Sequence, residues 1–288
     1  MDVLLKCTLV NRTMSAIKKL GIVAGGGDIP FQLVEYCQKN QIDFFVVALK
    51  SHASKKLVNK DIPHVWARLG DIGHTFQKLK EEEVREIVLI GNVKRPSLSE
   101  IRPDWEGVKI IAKLAKKALG DDGLLRAVIE EIEERGFKVI GVDKIMPDLV
   151  ASNGVYGKYA PNKDDMIDIE RGITIAKELG ALDVGQGVVV QERLVLAVEA
   201  IEGTDAMISR AGALKRNGRK PILIKMKKPN QDFRVDLPTI GEKTVEEAAK
   251  AGFGGIAIQA GSILLVNRHE VIKKANAAKM FIIGMEFE

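Results

Sequence analysis

The chain has 288 residues, of which 46% are hydrophobic and 29% are charged, and its formal net charge is +5. That apolar content suffices for two modest domains and disorder is not expected, while no apolar run approaches the roughly 20 residues that span a bilayer. The positive charge favours anionic partners, but aromatic residues make up only 5% and are not interleaved with Lys and Arg, so nucleic acid is disfavoured. Two cysteines, Cys7 and Cys37, fit a reducing cytoplasm.

The first residues do not have the features of a targeting signal. Met1 to Ser15 has a short apolar run broken by Lys6 and no long hydrophobic region or small-residue cleavage site. We expect residues 1–14 to be an extension outside the core, explained by an upstream start codon ahead of Met14. A real amphipathic extension is the alternative.

The first half of the chain alternates apolar runs with helical patterns. We predict strands at 19–24, 44–49, 86–90 and 137–142, and helices at 31–40, 76–83, 105–119 and 124–135. This alternation is typical of a parallel sheet with helices on both faces. The sequence therefore predicts an α/β fold whose first domain, residues 1–146, is Rossmann-like and binds a nucleotide or phosphate.

A stretch with little periodicity, from Pro147 to Gly157, divides the chain. Residues 147–288 should form a second α/β domain. Its predicted helices lie at 163–179, 204–215 and 244–251, with one more before the last strand. Its predicted strands lie at 187–191, 194–199, 221–226, 255–259, 263–266 and 281–284.

Two loops of the first domain suit an anionic ligand. Gly25, Gly26 and Gly27 lie between a strand and a helix, where a bare backbone can approach a phosphate. A tight turn before a helix capped by Asp28 is the alternative, because the full dinucleotide fingerprint is absent. The loop after the third strand carries three more predicted substrate-binding residues, namely Asn92, Lys94 and Arg95.

The predicted helix 105–119 has apolar residues on one face and Lys109, Lys113 and Lys116 on another. Such a helix could rest on an anionic membrane, although an ordinary surface helix has the same pattern. The choice matters most if the substrate is a lipid.

Acidic residues gather in two loops of the second domain. Glu202 and Asp205 belong to the first loop with Glu199, and Asp232 and Asp236 to the second, which follows the apolar run 221–226. Carboxylates from two loops at one sheet edge can share a divalent cation. The alternatives are a helix-dipole role for Asp205 and a solvated connecting loop.

Other side chains in these loops complete the candidate site. Arg234 can grip an oxyanion, and we predict Thr204 and Thr239 as substrate-binding residues. The four histidines have no metal-ligand spacing and no Gly-x-Ser-x-Gly elbow is present. The kind of chemistry that remains is catalysis by a metal ion with oxygen ligands, acting on an anionic substrate.

Six motifs follow one another in order through nearly all of the chain after Met14. They are Leu20-Gly-Ile-Val-Ala-Gly-Gly-Gly-Asp-Ile-Pro30, Gly91-Asn-Val-Lys-Arg-Pro96, Gly120-Asp-Asp-Gly-Leu-Leu125, Asp183-Val-Gly-Gln-Gly187, Val198-Glu-Ala-Ile-Glu-Gly-Thr-Asp-Ala-Met207 and Arg234-Val-Asp-Leu-Pro-Thr-Ile-Gly241. In these motifs the chain resembles the LpxI-type UDP-2,3-diacylglucosamine pyrophosphatases of lipid A biosynthesis. The resemblance implies that the second domain, residues 147–288, holds the catalytic and lipid-binding groups.

The resemblance implies an Mg²⁺-dependent hydrolase that splits UDP-2,3-diacylglucosamine into UMP and 2,3-diacylglucosamine 1-phosphate (lipid X). It also implies a cytoplasmic location at the inner membrane of a Gram-negative bacterium, and two domains with the lipid product between them. The family's essential aspartate maps onto Asp236, with Asp232 second. Asp236, Glu202 and Asp205 are then the expected Mg²⁺ ligands, and Arg234 would stabilise transition-state charge.

Two other classes stay open at this point. A non-catalytic sensor of a sugar nucleotide or lipid would explain the glycine turn and basic helix without a nucleophile. A Rossmann-type oxidoreductase is disfavoured by the incomplete fingerprint. The sequence leaves a homodimer open, as it does the number of metal ions.

Overall fold

The computed structural model describes residues 18–59, 61–93, 104, 105, 107, 108, 110, 120–229 and 231–287. The chain divides into two compact units, Met1–Pro147 and Asp148–Glu288. The expected extension, residues 1–14, lies outside the described residues. No helix within the described ranges combines the length and apolar character of a membrane-spanning segment.

Five parallel strands form the sheet of the first unit in its described part. They are β1 (Leu20–Ala24), β2 (Phe44–Leu49), β3 (His64–Ala67), β4 (Glu86–Ile90) and β5 (Lys138–Val139), in the order β3-β2-β1-β4-β5. The helices are α1 (Ile29–Lys39), α2 (Ile72–Glu81), α3 (Gly120–Glu134) and α4 (Val142–Ile145). The apolar runs of β1 and β2 are almost wholly buried, as expected of strands covered on both faces.

The second unit has a mixed sheet of six strands in the order β6-β13-β11-β9-β7-β8. These are β6 (Gly154–Tyr156), β7 (Gly187–Gln191), β8 (Leu194–Val198), β9 (Ile222–Lys225), β11 (Gly255–Gln259) and β13 (Phe281–Met285). Strands β9, β11 and β13 are mutually parallel, whereas β6, β7 and β8 each pair antiparallel. A separate parallel pair joins β10 (Thr239–Ile240) to β12 (Leu264–Leu265).

Helices cover both faces of this second sheet. They are α5 (Lys163–Ala181), α6 (Thr204–Ala213), α7 (Glu242–Lys250) and α8 (Arg268–Ala277). One core, with Ile169 of α5, packs on Val188 and Ile224, and the opposite core joins Met207 of α6 to Leu223. Helix α5 starts at a capping box, in which the Asn162 side chain accepts from two backbone N–H groups.

The predicted class, a parallel-sheet α/β domain followed by a second α/β domain, is confirmed. Several details of the prediction are wrong, and it has no strand at His64–Ala67 or Thr239–Ile240. The strand predicted at 137–142 ends at Val139, because Gly141 leads into the short helix α4. The stretch with little periodicity, Pro147 to Gly157, contains the edge strand β6.

Candidate functional site

The glycine turn of the first unit interlocks with the loop after β4. The N–H of Gly26 donates to the carbonyl of Asn92 at 2.9 Å, and the N–H of Asn92 donates to the carbonyl of Gly26 at 2.8 Å. A Cβ on Gly25 would lie 2.7 Å from the Asn92 carbonyl oxygen, and one on Gly91 would lie 2.6 Å from the Gly26 oxygen. The lack of a side chain at Gly25 and at Gly91 therefore lets the two backbones approach each other. Asp28 precedes α1 at the N-cap position, but its side chain makes no capping hydrogen bond.

These two loops lie where the strand order of the first sheet reverses. Strands β1 and β4 are neighbours, and the chain leaves them in opposite directions across the sheet. Ligands of open α/β sheets collect in such a crevice. Gly27, at a φ of +91°, and the exposed Asn92 are the predicted residues that remain open to a ligand there. Lys94, Arg95 and most of the predicted helix 105–119 lie outside the described residues.

A buried lysine joins the two acidic loops of the second unit. Lys225 ends β9 and is 5% exposed. Its Nζ donates to Thr204 Oγ1 at 2.7 Å and to the carbonyl oxygen of Thr239 at 3.2 Å. The Thr204 hydroxyl in turn donates to Glu199 Oε1 at 2.7 Å. The two predicted threonines are thus brought together, with the hydroxyl of Thr204 already committed to protein partners.

Glu199, Gly187 and Lys225 lie side by side across three neighbouring strands. Gly187 of β7 pairs with Lys225 of β9, and the N–H of Glu199, just after β8, donates to the Gly187 carbonyl at 2.8 Å. Because paired residues of antiparallel strands share a face, Glu199 and Lys225 flank a position without a side chain. A Cβ on Gly187 would lie 2.5 Å from Glu199 Oε2. Gly187 therefore leaves room for the carboxylate.

Burial and charge act in opposite directions on Lys225. Desolvation lowers its pKa, while the carboxylates of Glu199, Asp205 and Asp236 raise it. Both acidic loops thus lie within electrostatic reach of one ammonium. Glu199 Oε2 is buried and has no hydrogen-bond partner among the described residues.

In the loop after β9, the side chain of Gln231 contacts Asp236. Gln231 is 4% exposed, its amide Nε2 donates to Asp236 Oδ2, and its Oε1 accepts from the N–H of Lys228 at 3.2 Å. The N–H of Asp236 also donates to the carbonyl of Asp232 at 3.1 Å. The loop therefore fixes the orientation of the Asp236 carboxylate.

Asp232 and Arg234 pair with each other. Nε of Arg234 donates to Asp232 Oδ1 at 3.0 Å and Nη2 donates to Oδ2 at 2.8 Å. The backbone N–H of Arg234 also donates to Oδ1 at 2.9 Å. Asp232 therefore forms the turn and holds the guanidinium in a bidentate pair.

The remaining predicted ligands have other partners. Glu202 pairs with Arg210, and its pKa is lowered by its own backbone N–H and by that guanidinium. Asp205 pairs with Lys243 at 2.6 Å. Asp236, Glu202 and Asp205 do not converge, and the described residues contain no group of three His, Cys, Asp or Glu side chains able to hold a metal.

An Mg²⁺ ion does not require such a cage. It keeps several waters and commonly takes one or two carboxylates together with phosphate oxygens of the substrate. Asp236, a single carboxylate in the charged loop that follows β9, is compatible with that second mode. The three-carboxylate set expected from the sequence does not fit.

Sequence reasoning missed Lys225, Gln231 and Gly187. A lysine inside the apolar run 221–226 was a usable signal, because lysine is almost never fully buried without a partner. Gln231 offers no comparable signal. The role of Gly187 depends on the pairing of β7 with two other strands.

The fold and the site define an α/β protein of two units. The first unit has glycine-rich loops at its sheet, and the second has charged side chains in the loops at its sheet. Family models carry the identification further: the LpxI N-terminal domain matches residues 19–149 and the LpxI C-terminal domain matches residues 152–283. The chain belongs to the LpxI family.

The match with one curated relative covers almost the whole length of both chains. That relative is the UDP-2,3-diacylglucosamine pyrophosphatase LpxI of Caulobacter vibrioides, which is 40% identical over 277 residues, 94% of this chain and 98% of the relative.

Two solved structures are distantly similar to the chain. A UDP-glucose 4-epimerase from Thermotoga maritima, crystallised with UDP-glucose, has 11% identity and a TM-score of 0.29, and the match covers 51% of this chain and 42% of that chain. The precorrin-6A reductase CobK has 7% identity and a TM-score of 0.33, with coverage of 94% and 89%. Neither likeness bears on function.

Proposed function

We propose that this protein is an Mg²⁺-dependent hydrolase that cleaves the pyrophosphate of UDP-2,3-diacylglucosamine to UMP and 2,3-diacylglucosamine 1-phosphate. The observation that carries the proposal is the 40% identity, over nearly full length, to a relative with that pyrophosphatase name. The site supports it, because a pyrophosphate needs positive charge and an oriented carboxylate, and the second unit offers both.

The roles follow from the contacts. Asp236, oriented by Gln231, would hold Mg²⁺ together with pyrophosphate oxygens. When bound, Mg²⁺ supplies charge that stabilises the transferring phosphoryl group. Arg234, held by Asp232, would face the same developing negative charge.

The glycine loops of the first unit would receive a phosphate or the uridine end of the substrate. Gly27 and Asn92 are the described residues best placed for that contact, at the point where the strand order reverses. Lys94 and Arg95 follow in the same loop of the sequence and would add positive charge.

The same proposal puts the protein in the cytoplasm, in peripheral contact with the inner membrane, because its substrate is a lipid. Ile201 is fully exposed and Phe233 is 39% exposed, one in each acidic loop. Replacing Ile201 by Ser should weaken co-sedimentation with anionic vesicles. Leu182→Ser, an exposed leucine at the end of α5, is the control, and equal losses in both variants would contradict the assignment.

The test of the function is direct. Purified protein with UDP-2,3-diacylglucosamine and Mg²⁺ should release UMP, and EDTA should stop the release until Mg²⁺ is restored in excess. UMP release that continues unchanged in EDTA would refute the metal requirement. Substrate binding without UMP under any divalent cation would refute the hydrolase and favour the sensor.

A further inference from the structure

We propose that Lys225 is a positioning residue for the reaction. Its side chain joins the loop that precedes α6 to the loop that ends at Thr239. The inference rests on the proposed function, because it assigns a role within that same site. Its basis is geometric, because one buried ammonium contacts both the Thr204 hydroxyl and the Thr239 carbonyl. In sequence, Lys225 lies 21 residues from Thr204 and 14 residues from Thr239.

The polarity of this hydrogen-bond chain is fixed. An ammonium only donates, so Thr204 Oγ1 accepts from Lys225 and its own hydrogen goes to Glu199 Oε1. The hydroxyl therefore acts as a link within the protein. A substrate-binding role for that hydroxyl, as predicted from the sequence, would require breaking one of these two bonds.

Charge balance explains why the lysine can be buried there. Glu199 is 6% exposed and reaches toward Lys225 across Gly187, which has no side chain. Removing only one member would leave the other charge buried without its counterion, which destabilises folded proteins strongly. A single Lys225 variant would therefore mix a folding defect with a positioning defect.

The functional loops depend on this link. The first loop leads into α6, whose first residue is Thr204, and the second contains Asp236 and Arg234 ahead of Thr239. Without the ammonium, the two loops would keep their separate strands but lose their shared anchor. Misplacement of catalytic groups by about 1 Å can lower rates roughly 100-fold.

The experiment uses two variants that keep the charges balanced. Thr204→Val removes the link while keeping both charges, and Thr204→Ser restores the hydroxyl as a matched control. Glu199→Gln with Lys225→Met removes both buried charges together. Lys220→Met, at an exposed lysine before the same strand, is the control for loss of a surface charge.

We expect Thr204→Val and the double variant to lower kcat by about 100-fold with a smaller change in KM. In both, the backbone amides of residues 200–204, 239 and 240 should exchange hydrogen faster, while strand β9 stays as protected as in the wild type. Thr204→Ser, which keeps the hydroxyl, should recover most of the kcat and of the exchange protection that Thr204→Val loses, and Lys220→Met should match the wild type in every measurement.

Wild-type kcat and wild-type loop exchange in Thr204→Val would overturn the proposal. So would a double variant that folds and turns over normally, because Lys225 would then serve only to balance Glu199. Hydrogen exchange needs no substrate, so it tests the anchor even if the wild type releases no UMP. That last result would refute the proposed function and leave the anchor to be judged by exchange alone.

Discussion

Replacing Gly187 by Ala tests the geometry of the buried charge cluster. The added Cβ would lie 2.5 Å from Glu199 Oε2 and 3.0 Å from Met207 Cε. The carboxylate is the movable neighbour, but its other oxygen is bonded to Thr204. We therefore expect the side chain of Glu199 to shift and its hydrogen bond with Thr204 to weaken.

The size of the effect follows from two contributions. A hydrogen bond to a charged group contributes about 1.5–3 kcal/mol, and overpacking a buried site costs about 1–3 kcal/mol. Because relaxation of Glu199 relieves part of the overlap, we expect the free energy of unfolding to fall by about 2–4 kcal/mol. The rate of UMP release should fall with it, since Thr204 loses one of its two anchors.

Urea unfolding followed by circular dichroism measures the change, with UMP release measured on the folded variant. Gly241→Ala is the matched control, because a Cβ there meets nothing within 4 Å and the residue's φ of −132° suits alanine. The control should stay within about 0.5 kcal/mol of the wild type. A Gly187→Ala protein as stable and as active as Gly241→Ala would refute the packing argument.

Gln231→Leu should lower kcat at least tenfold with little change in KM, because Asp236 loses the donor that orients it; unchanged steady-state kinetics would contradict this. Gly25→Ala should destabilise the first unit by about 1–3 kcal/mol, because its Cβ would lie 2.7 Å from a backbone oxygen that cannot rotate away; an unchanged thermal unfolding curve would contradict this. Burial raises the pKa of the Cys37 thiol to about 12, so in a Cys7→Ser background it should not react with a disulfide reagent at pH 8 until urea unfolds the protein; fast labelling of the native state would contradict this.

The main elements of the fold could be predicted because their apolar patterns are long. The run Phe44–Leu49 is buried along nearly its whole length and forms β2, which lies between β3 and β1 in the sheet. The strands that prediction missed, His64–Ala67, Gly154–Tyr156 and Thr239–Ile240, all lie at sheet edges. Edge strands are short and need less apolar character, so their sequences resemble loops.

The candidate site could be predicted only in outline. Acidic residues clustered in sequence pointed to the two loops that Lys225 joins, but not to the partners of the individual carboxylates. Glu202 pairs with Arg210, which helix α6 carries, whereas Asp205 pairs with Lys243, a contact that depends on how α6 and α7 pack. The role of Lys225 depends on three strands and two loops meeting, which no local pattern encodes.

The most direct test of the account is product formation by the wild type and one aspartate variant. With UDP-2,3-diacylglucosamine and Mg²⁺, the wild type should form UMP and 2,3-diacylglucosamine 1-phosphate in equal amounts. Asp236→Asn should lower that rate about 100-fold or more, whereas Asp148→Asn, at an exposed aspartate of the same unit, should not. No UMP from the wild type, or equal rates in the wild type and Asp236→Asn, would contradict the account.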